Sequence, residues 1–384
     1  MIERRQAAEW VRDYPRPLLV GAVASHSALD TFDGAVAEGL GTLALCQQGR
    51  ENTYARYFRT VRDAAGRRVR GCVDDVLVTP RFSEALVGSA AAALRRRGVV
   101  LIPNRALSSY LPIEEVEEKV ELPIFGSRRL LRLEDRSERE NYYGLLEKAG
   151  LPFPAEVKDP EGIDGLTIVK LPHARKRLER GFFTCSSPKE YRERSEALLR
   201  AGVILPEDLA KARKERYILG PVFNLNFFAS PLAPRGSGLE LLGIDERRES
   251  SLDGLVRLPA EEQLSLPERD RIPEYTVVGH ASSTLRESLL EQAFSLGERF
   301  LAAAREQYPP GVLGPFCLQT CVDRDQRFFI FDVAVRLGGG TNAHMSVGHP
   351  YGNALWREPM SSARRMAREL RLALEEDRLE ELVS

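Results

Sequence analysis

No stretch of the 384 residues approaches the ~18 consecutive apolar residues of a membrane-spanning helix, which excludes a helical membrane protein. Cysteine is scarce, with five residues (Cys46, Cys72, Cys185, Cys317 and Cys321), odd in number and without a CxxC pair. That spacing excludes a disulfide framework and reads as reduced, buried thiols. Histidine is equally sparse and dispersed, five in all, which argues against a dedicated zinc site. Charge of one sign is also lacking. With 55 basic against 56 acidic residues the formal net charge is −1, which speaks against a nucleic-acid coat or a polybasic membrane binder. The opening MIERR has no apolar run of the secretory kind, so the expected compartment is cytoplasmic. There is no GxGxxG, hence no dinucleotide fingerprint, and neither an internal repeat nor a low-complexity segment.

What is present is enough apolar residue, 43%, for a sizeable core without metal or disulfide staples, and length for two or three domains at ~150 residues each. Short apolar runs at 18–24, 42–46, 76–78, 99–102 and 122–125 read as strands. Helical patterns at 26–40 and 83–97 separate some of them, which implies βαβ units and an open parallel sheet. A helical stretch at 128–149 stops at AGLPFP, a glycine followed by prolines. Strands are predicted at 166–171, 181–185 and 216–219, with a helix near 189–200. Further on, 223–228 and 239–244 read as an antiparallel pair, 286–305 as an amphipathic helix, 317–322 and 327–335 as a hairpin, and 361–383 as a charged helix. The expected units are 1–127, 128–220 and 221–384, giving a mixed α/β and α+β architecture.

Several segments carry chemistry. The first βα turn holds Ser25, His26 and Ser27, two hydroxyls and an imidazole at the carboxyl end of a parallel strand, suited to a phosphate or ribose. A plain serine cap beside a solvent histidine reads from the same residues. Asp332 lies on an otherwise apolar strand, where a carboxylate needs a cation, Mg²⁺ or Arg336. The Gly338–Gly340 run permits close backbone approach to a phosphate, and Thr341 and Asn342 add side-chain donors. A helix ending in AGLPFP, the strand lysine Lys170 and the ERYILG segment resemble, in their order and spacing, the ATP-grasp fold.

The resemblance sharpens over GIDERRESSLDGLVRLPA (residues 243–260), LRESLL (285–290), PPGVLGPFCLQT (309–320) and RLGGGTN (336–342). Together with IFGSRRLLRLE (124–134) and ASHSALDTFDGAVAEG (24–39), these are similar to the archaeal-type formate-dependent FAICAR synthetases, also called formate–phosphoribosylaminoimidazolecarboxamide ligases. The likeness covers nearly the whole chain. It implies an ATP-grasp ligase with a parallel-sheet domain before it, using ATP and Mg²⁺ to activate formate as formyl phosphate. The 5-amino group of AICAR ribotide would then attack to give FAICAR.

By the same resemblance, Lys170 and Arg175 would meet ATP phosphates, and Glu215, Tyr217, Ile218 and Leu219 would hold adenosine. Asp332 and, more weakly, Gln319 would bind Mg²⁺. Ser25, His26, Ser27, Arg105, Asp245, Arg247, Asp253 and Arg257 would face the ribotide, with Arg336, Thr341 and Asn342 at the reaction centre. For Asp245, Arg247, Asp253 and Arg257 a structural ion network reads equally well. The resemblance also implies a homo-oligomer, a trimer or hexamer, with small molecules and neither nucleic acid nor membrane as partners.

Two departures leave the acceptor open. Where the family carries a glycine-rich loop over the triphosphate, residues 172–181 are glycine-poor and basic. Where the family often carries PHGS, this sequence has Pro103-Asn104-Arg105-Ala106. A paralogous carboxylate–amine ligase on another acceptor, and a nucleotide-binding homologue without turnover, both remain alternatives at this level.

Overall fold

The computed structural model describes residues 2–136, 138, 140–171, 182–234, 238–267, 270–271, 273 and 275–384. The basic segment 172–181, with Arg175, lies outside the described residues.

The first part of the chain contains β1 (Leu19–Val23), β2 (Gly41–Gln47), a small hairpin of β3 (Val61–Arg62) and β4 (Arg68–Arg70), β5 (Asp75–Thr79) and β6 (Val99–Ile102). Four of these form a parallel sheet in the order β5-β2-β1-β6. Near-continuous burial along β1, β2 and β6 explains why their sequences are apolar runs rather than alternations. The expected strand at 122–125 is reduced to isolated bridges, Ile124 to Leu101 and Phe125 to Val383. Pro123 has no N–H with which to extend the ladder.

The helical patterns are shorter than expected. The first spans Ala28–Ala37 and the second splits into a turn at Phe82–Leu86 and a helix at Gly88–Arg96, divided where Gly88 takes φ +59°. The continuous helix expected at 128–149 is likewise broken, into a 3₁₀ segment Arg128–Glu134 and a helix Tyr142–Lys148. Buried Arg128 ties the first piece to the carbonyls of Val116, Val120 and Leu122, while Asn141 caps the second. Between them the chain turns and delivers Arg136 to the site.

A small antiparallel sheet follows, built from β7 (Thr167–Lys170), β8 (Phe182–Cys185) and β9 (Arg213–Arg216) in the order β8-β7-β9. The strand expected at 216–219 therefore ends where it was to begin. Residues 217–219 follow it, with the Tyr217 N–H donating to the Leu166 carbonyl.

The larger antiparallel sheet comprises β10 (Val222–Ala229), β11 (Leu239–Glu249), β12 (Val277–Ser282), β13 (Gly314–Val322) and β14 (Phe328–Ala334), ordered β12-β11-β10-β13-β14. One face is apolar. Leu225, Phe227, Phe316 and Leu318 pack against the helix Leu290–Gln307, where Phe316 stacks between Phe227 and Phe300 at 5.2 and 5.5 Å. The opposite face is polar, because register aligns Asp332, Gln319, Asn224 and Asp245 across four strands. The C-terminal helix is Ser362–Glu375, shorter than the expected 361–383. It packs so closely on the helix Ala28–Ala37 that a Cβ at Gly34 would lie 2.6 Å from the Arg364 nitrogen.

Candidate active site

Two cavities open beside the polar face of the large sheet. The first, about 420 Å³, lies between the small and large sheets and is lined by Ile168, Lys170, Phe182, Tyr217, Tyr275 and Asp332 among others. The second, about 250 Å³, lies between the large sheet and the carboxyl end of the parallel sheet, with His26, Arg105, Asp245, His280, Arg336 and Asn342 in its wall. Arg247 lines both. Gln319 in the second cavity and Asp332 in the first are direct cross-strand partners on β13 and β14. The two cavities thus meet at one boundary of the sheet.

In the first cavity, Lys170 projects from β7 and is nearly inaccessible. Its Nζ lies 2.6 Å from Glu215 and donates to the Tyr143 hydroxyl and the Phe331 carbonyl. Burial pushes the Lys170 pKa down to about 8, and the Glu215 carboxylate opposes that shift. Glu215 also takes a bond from Arg213 Nε at 2.7 Å, and that guanidinium sits over the Tyr143 ring. Glu215 therefore acts on the lysine rather than presenting a free carboxylate to a sugar. Phe182 of the small sheet meets Tyr275 of the segment before β12, ring centroids 4.9 Å apart, giving the cavity an aromatic wall.

Asp332 of β14 also lines this cavity. Arg136 approaches it at 3.3 Å, and its Oδ1 accepts the Val333 N–H. Gln319 beside it accepts from Arg247. One carboxylate and one amide oxygen suit a hard cation that keeps waters and takes its remaining ligands from phosphate, as Mg²⁺ does. No cluster of three or more His, Cys, Asp or Glu able to enclose a metal occurs among the described residues.

The second cavity has a cationic wall. Arg336 is held by Glu134, Nη2 to Oε2 at 2.9 Å, and Glu134 also accepts the Val335 N–H. Burial raises the Glu134 pKa, and Arg336 counters it. Arg105 is half-buried near Arg336 and Arg247, and burial followed by the Arg336 charge lowers its pKa. Asn104 explains the departure at PNRA. Its amide donates to the carbonyls of Val23, Ser25 and His26 (2.8, 3.3 and 3.3 Å), while its Oδ1 caps the helix that carries Arg105. One side chain thus fixes both His26 and Arg105. Asp245, 1% exposed, accepts Asn224 Nδ2 at 2.8 Å and Asn226 Nδ2 at 2.7 Å.

Of the residues expected from sequence, Lys170, Glu215, Tyr217, Ile218, Asp253 and Asp332 come together around the first cavity, and His26, Arg105, Asp245, Gln319, Arg336 and Asn342 around the second. Five lie elsewhere. The Leu219 side chain is 73% exposed, although its neighbours Ile218 and Gly220 line the first cavity and the expected contact was through backbone groups, and Arg257 is exposed with its Nε on the Asp253 carbonyl. Ser27 is buried with its hydroxyl committed to the Gly338 carbonyl. Thr341 is fully buried beside the same carbonyl, and Ser25 lies behind His26, bonded to its ring at 2.9 Å. Asp253 lines the first cavity and not the second, and its carboxylate is engaged by the Glu249 N–H and Arg248. Sequence reasoning missed Arg136, Glu134, Tyr275, Asn224, Asn226 and His280. Only the asparagines had a signal, the alternation Asn-Leu-Asn within an apolar strand.

Two antiparallel sheets closing on a cleft, with a lysine from one and an acidic strand residue from the other, define an ATP-grasp enzyme. Biotin carboxylase from Campylobacter jejuni shares the fold, with a TM-score of 0.57 at 12% identity over 92% of this chain and 70% of that one. Within that class the chain belongs to the FAICAR synthetase family. It is 35% identical over 385 residues, the full length of both chains, to 5-formaminoimidazole-4-carboxamide-1-(beta)-D-ribofuranosyl 5'-monophosphate synthetase of Methanocaldococcus jannaschii. The crystal structure of the IMP biosynthesis protein PurP from Thermococcus kodakaraensis matches with a TM-score of 0.69 at 32% identity, covering 95% of this chain and 100% of that one. Residues 20–157 match the family described as "Protein of unknown function (DUF1246)" and residues 190–384 "Domain of unknown function (DUF1297)".

Proposed function

We propose that this protein is an ATP-dependent ligase of purine biosynthesis that activates formate as formyl phosphate and transfers the formyl group to the 5-amino group of AICAR ribotide. The products are FAICAR, ADP and phosphate. The observation that carries the reading is a nucleotide-sized cavity joined through Arg247 to a second, cationic cavity, in a chain related over its full length to synthetases of that name.

ATP lies in the first cavity, its base between Ile168, Tyr217 and Ile218 and the Phe182–Tyr275 pair, its phosphates running toward Lys170. Asp332, with Gln319, would hold a Mg²⁺, which would supply positive charge against that developing on the phosphates. Formate sits at the cavity boundary, where Arg247 and Arg336 offer guanidinium donors to its carboxylate. The ribotide fills the second cavity against His26, Arg105, Asp245 and Asn342, which place its amine beside the acyl carbon. Closing the sheets over the junction keeps water from the acyl phosphate. The units 1–127, 128–220 and 221–384 serve as acceptor platform, nucleotide lid and catalytic sheet. We place the enzyme in the cytoplasm, where its five buried thiols stay reduced, as a homo-oligomer of three or six chains. No helix among the described residues is long and apolar enough to cross a membrane.

Arg105 favours one second reading, the same chemistry on an amine bearing a further anionic group. A single assay separates the two. ADP release is followed with Mg·ATP and formate, with and without AICAR ribotide, and the product mass is read from the same tube. Ribotide-dependent ADP with a product one formyl group heavier supports the leading reading. ATP binding without ribotide dependence supports the other acceptor.

A further inference from the structure

The geometry points to His280 as the general base of the acyl-transfer step, with the Asp245 carboxylate beside it. This rests on the reading that the second cavity receives the acceptor amine. His280 lies on β12, the edge strand of the large sheet, directly opposite Arg247 of β11, and lines the second cavity. Its Nε2 is 4.0 Å from Asp245 Oδ1. Asp245 is itself fixed by two asparagines, one on each carboxylate oxygen, and is 1% exposed. The carboxylate cannot swing out to meet a substrate, yet its charge faces the imidazole. A carboxylate held beside a histidine offsets the imidazolium that forms when the ring accepts a proton from substrate.

A second observation converges on the same pair. Gly340 packs over it so closely that a Cβ would fall 1.9 Å from Asp245 Oδ1 and 2.7 Å from His280 Cδ2. The loop that bounds the reaction centre is thus built around this histidine and carboxylate. Among the described residues, Arg247 pairs with His280 across the strands, and Arg105, Arg336 and His26 line the same cavity. His344, behind Asp245, is buried and neutral, its pKa pushed down to about 4 by burial and by His349. Asp245 is the acidic residue among the described residues lining the second cavity.

In the step itself, the amine nitrogen forms a bond to the formyl carbon. The bond from that carbon to the phosphate oxygen breaks, its electron pair leaving with phosphate. The proton lost by the nitrogen goes to the His280 imidazole. The lone pair of an amine on an aromatic heterocycle is delocalised, so removing this proton as the bond forms is where catalysis is needed.

The test uses wild type, His280→Gln, His280→Gly and His26→Asn, with Mg·ATP, formate and AICAR ribotide. Loss of the base should lower kcat about 10²–10⁴-fold in both His280 variants with little change in the ATP KM. The acidic limb of the kcat–pH profile should vanish in them, and added imidazole should restore turnover to His280→Gly in proportion to its concentration. His26→Asn should raise the ribotide KM and keep the acidic limb. Near-normal kcat in His280→Gln, or a loss that imidazole does not rescue, overturns the assignment and leaves the departing phosphate to take the proton. An acidic limb that disappears only in His26→Asn overturns it in favour of His26. Failure of the underlying reaction reads differently, since wild type itself would then release no ribotide-dependent ADP, and this inference would fall with it.

Discussion

Replacing Gly340 and Gly339 one at a time by alanine separates two explanations of the glycine run at 338–340. Close backbone approach to a phosphate, the reading suggested by sequence, makes neighbouring positions comparably sensitive. The structure distinguishes them. A Cβ at Gly339 meets nothing within 4 Å, whereas one at Gly340 lands 1.9 Å from Asp245 Oδ1. Gly340 has φ −93°, so alanine there carries no backbone penalty and the whole cost is this collision. To relieve it, Asp245 must retreat from Asn224 and Asn226, each a hydrogen bond to a charged group worth ~1.5–3 kcal/mol. If the loop shifts instead, overpacking costs roughly 1–3 kcal/mol. Gly340→Ala should therefore lower stability by about 2–4 kcal/mol and impair the ribotide KM and kcat together, with the ATP KM little changed. Gly339→Ala should stay within ~0.5 kcal/mol of wild type. Thermal unfolding and steady-state kinetics of the two variants read this directly. Equal damage from both, with loss of ATP affinity, would refute the steric argument and restore the phosphate-cradle explanation.

Asp332→Asn keeps the side-chain shape but removes the carboxylate proposed to hold Mg²⁺, so turnover should fall by at least about a hundredfold while the protein stays folded by circular dichroism. Near-normal turnover in the folded variant would remove Asp332 from the site. Glu215→Gln deletes the charge that holds up the Lys170 pKa, which already stands at about 8. The lysine should then lose its proton at lower pH, so the ATP KM should rise more steeply between pH 6.5 and 8.5 than in wild type, and parallel pH profiles would contradict the pairing. Leu219→Ser and Arg257→Ala should leave both KM values within about twofold, because neither side chain lines a cavity. A tenfold change in the ATP KM for the first, or the ribotide KM for the second, would return that residue to the site.

Much of the architecture is written locally. β1, β2 and β6 of the parallel sheet are buried nearly throughout and read as mostly apolar runs, and β10 alternates Asn-Leu-Asn-Phe because one face is core and the other is polar. Asp332 stood out because a charge inside an apolar strand has to have a partner, and Lys170 through its place between AGLPFP and ERYILG. The motifs around them were enough to indicate the family and the fold.

What tertiary structure alone decided is which polar residues share a cavity. Alignment of Asp332, Gln319, Asn224 and Asp245 into one row depends on strand register, and bulges at Asn226/Phe227 and Gln319/Thr320 reset that register within the sheet. A one-residue slip would turn each of these side chains to the other face, so no local pattern encodes the row. The same applies to His280, placed opposite Arg247 by pairing between strands some thirty residues apart in sequence. Arg136 comes from a break in a segment that reads as continuous helix, and Ser27 and Thr341 are buried by contacts to a loop more than 300 residues from Ser27. Composition and periodicity report whether a residue faces core or solvent. Which distant residue it meets there is set by packing, and that is where the chemistry of this site was decided.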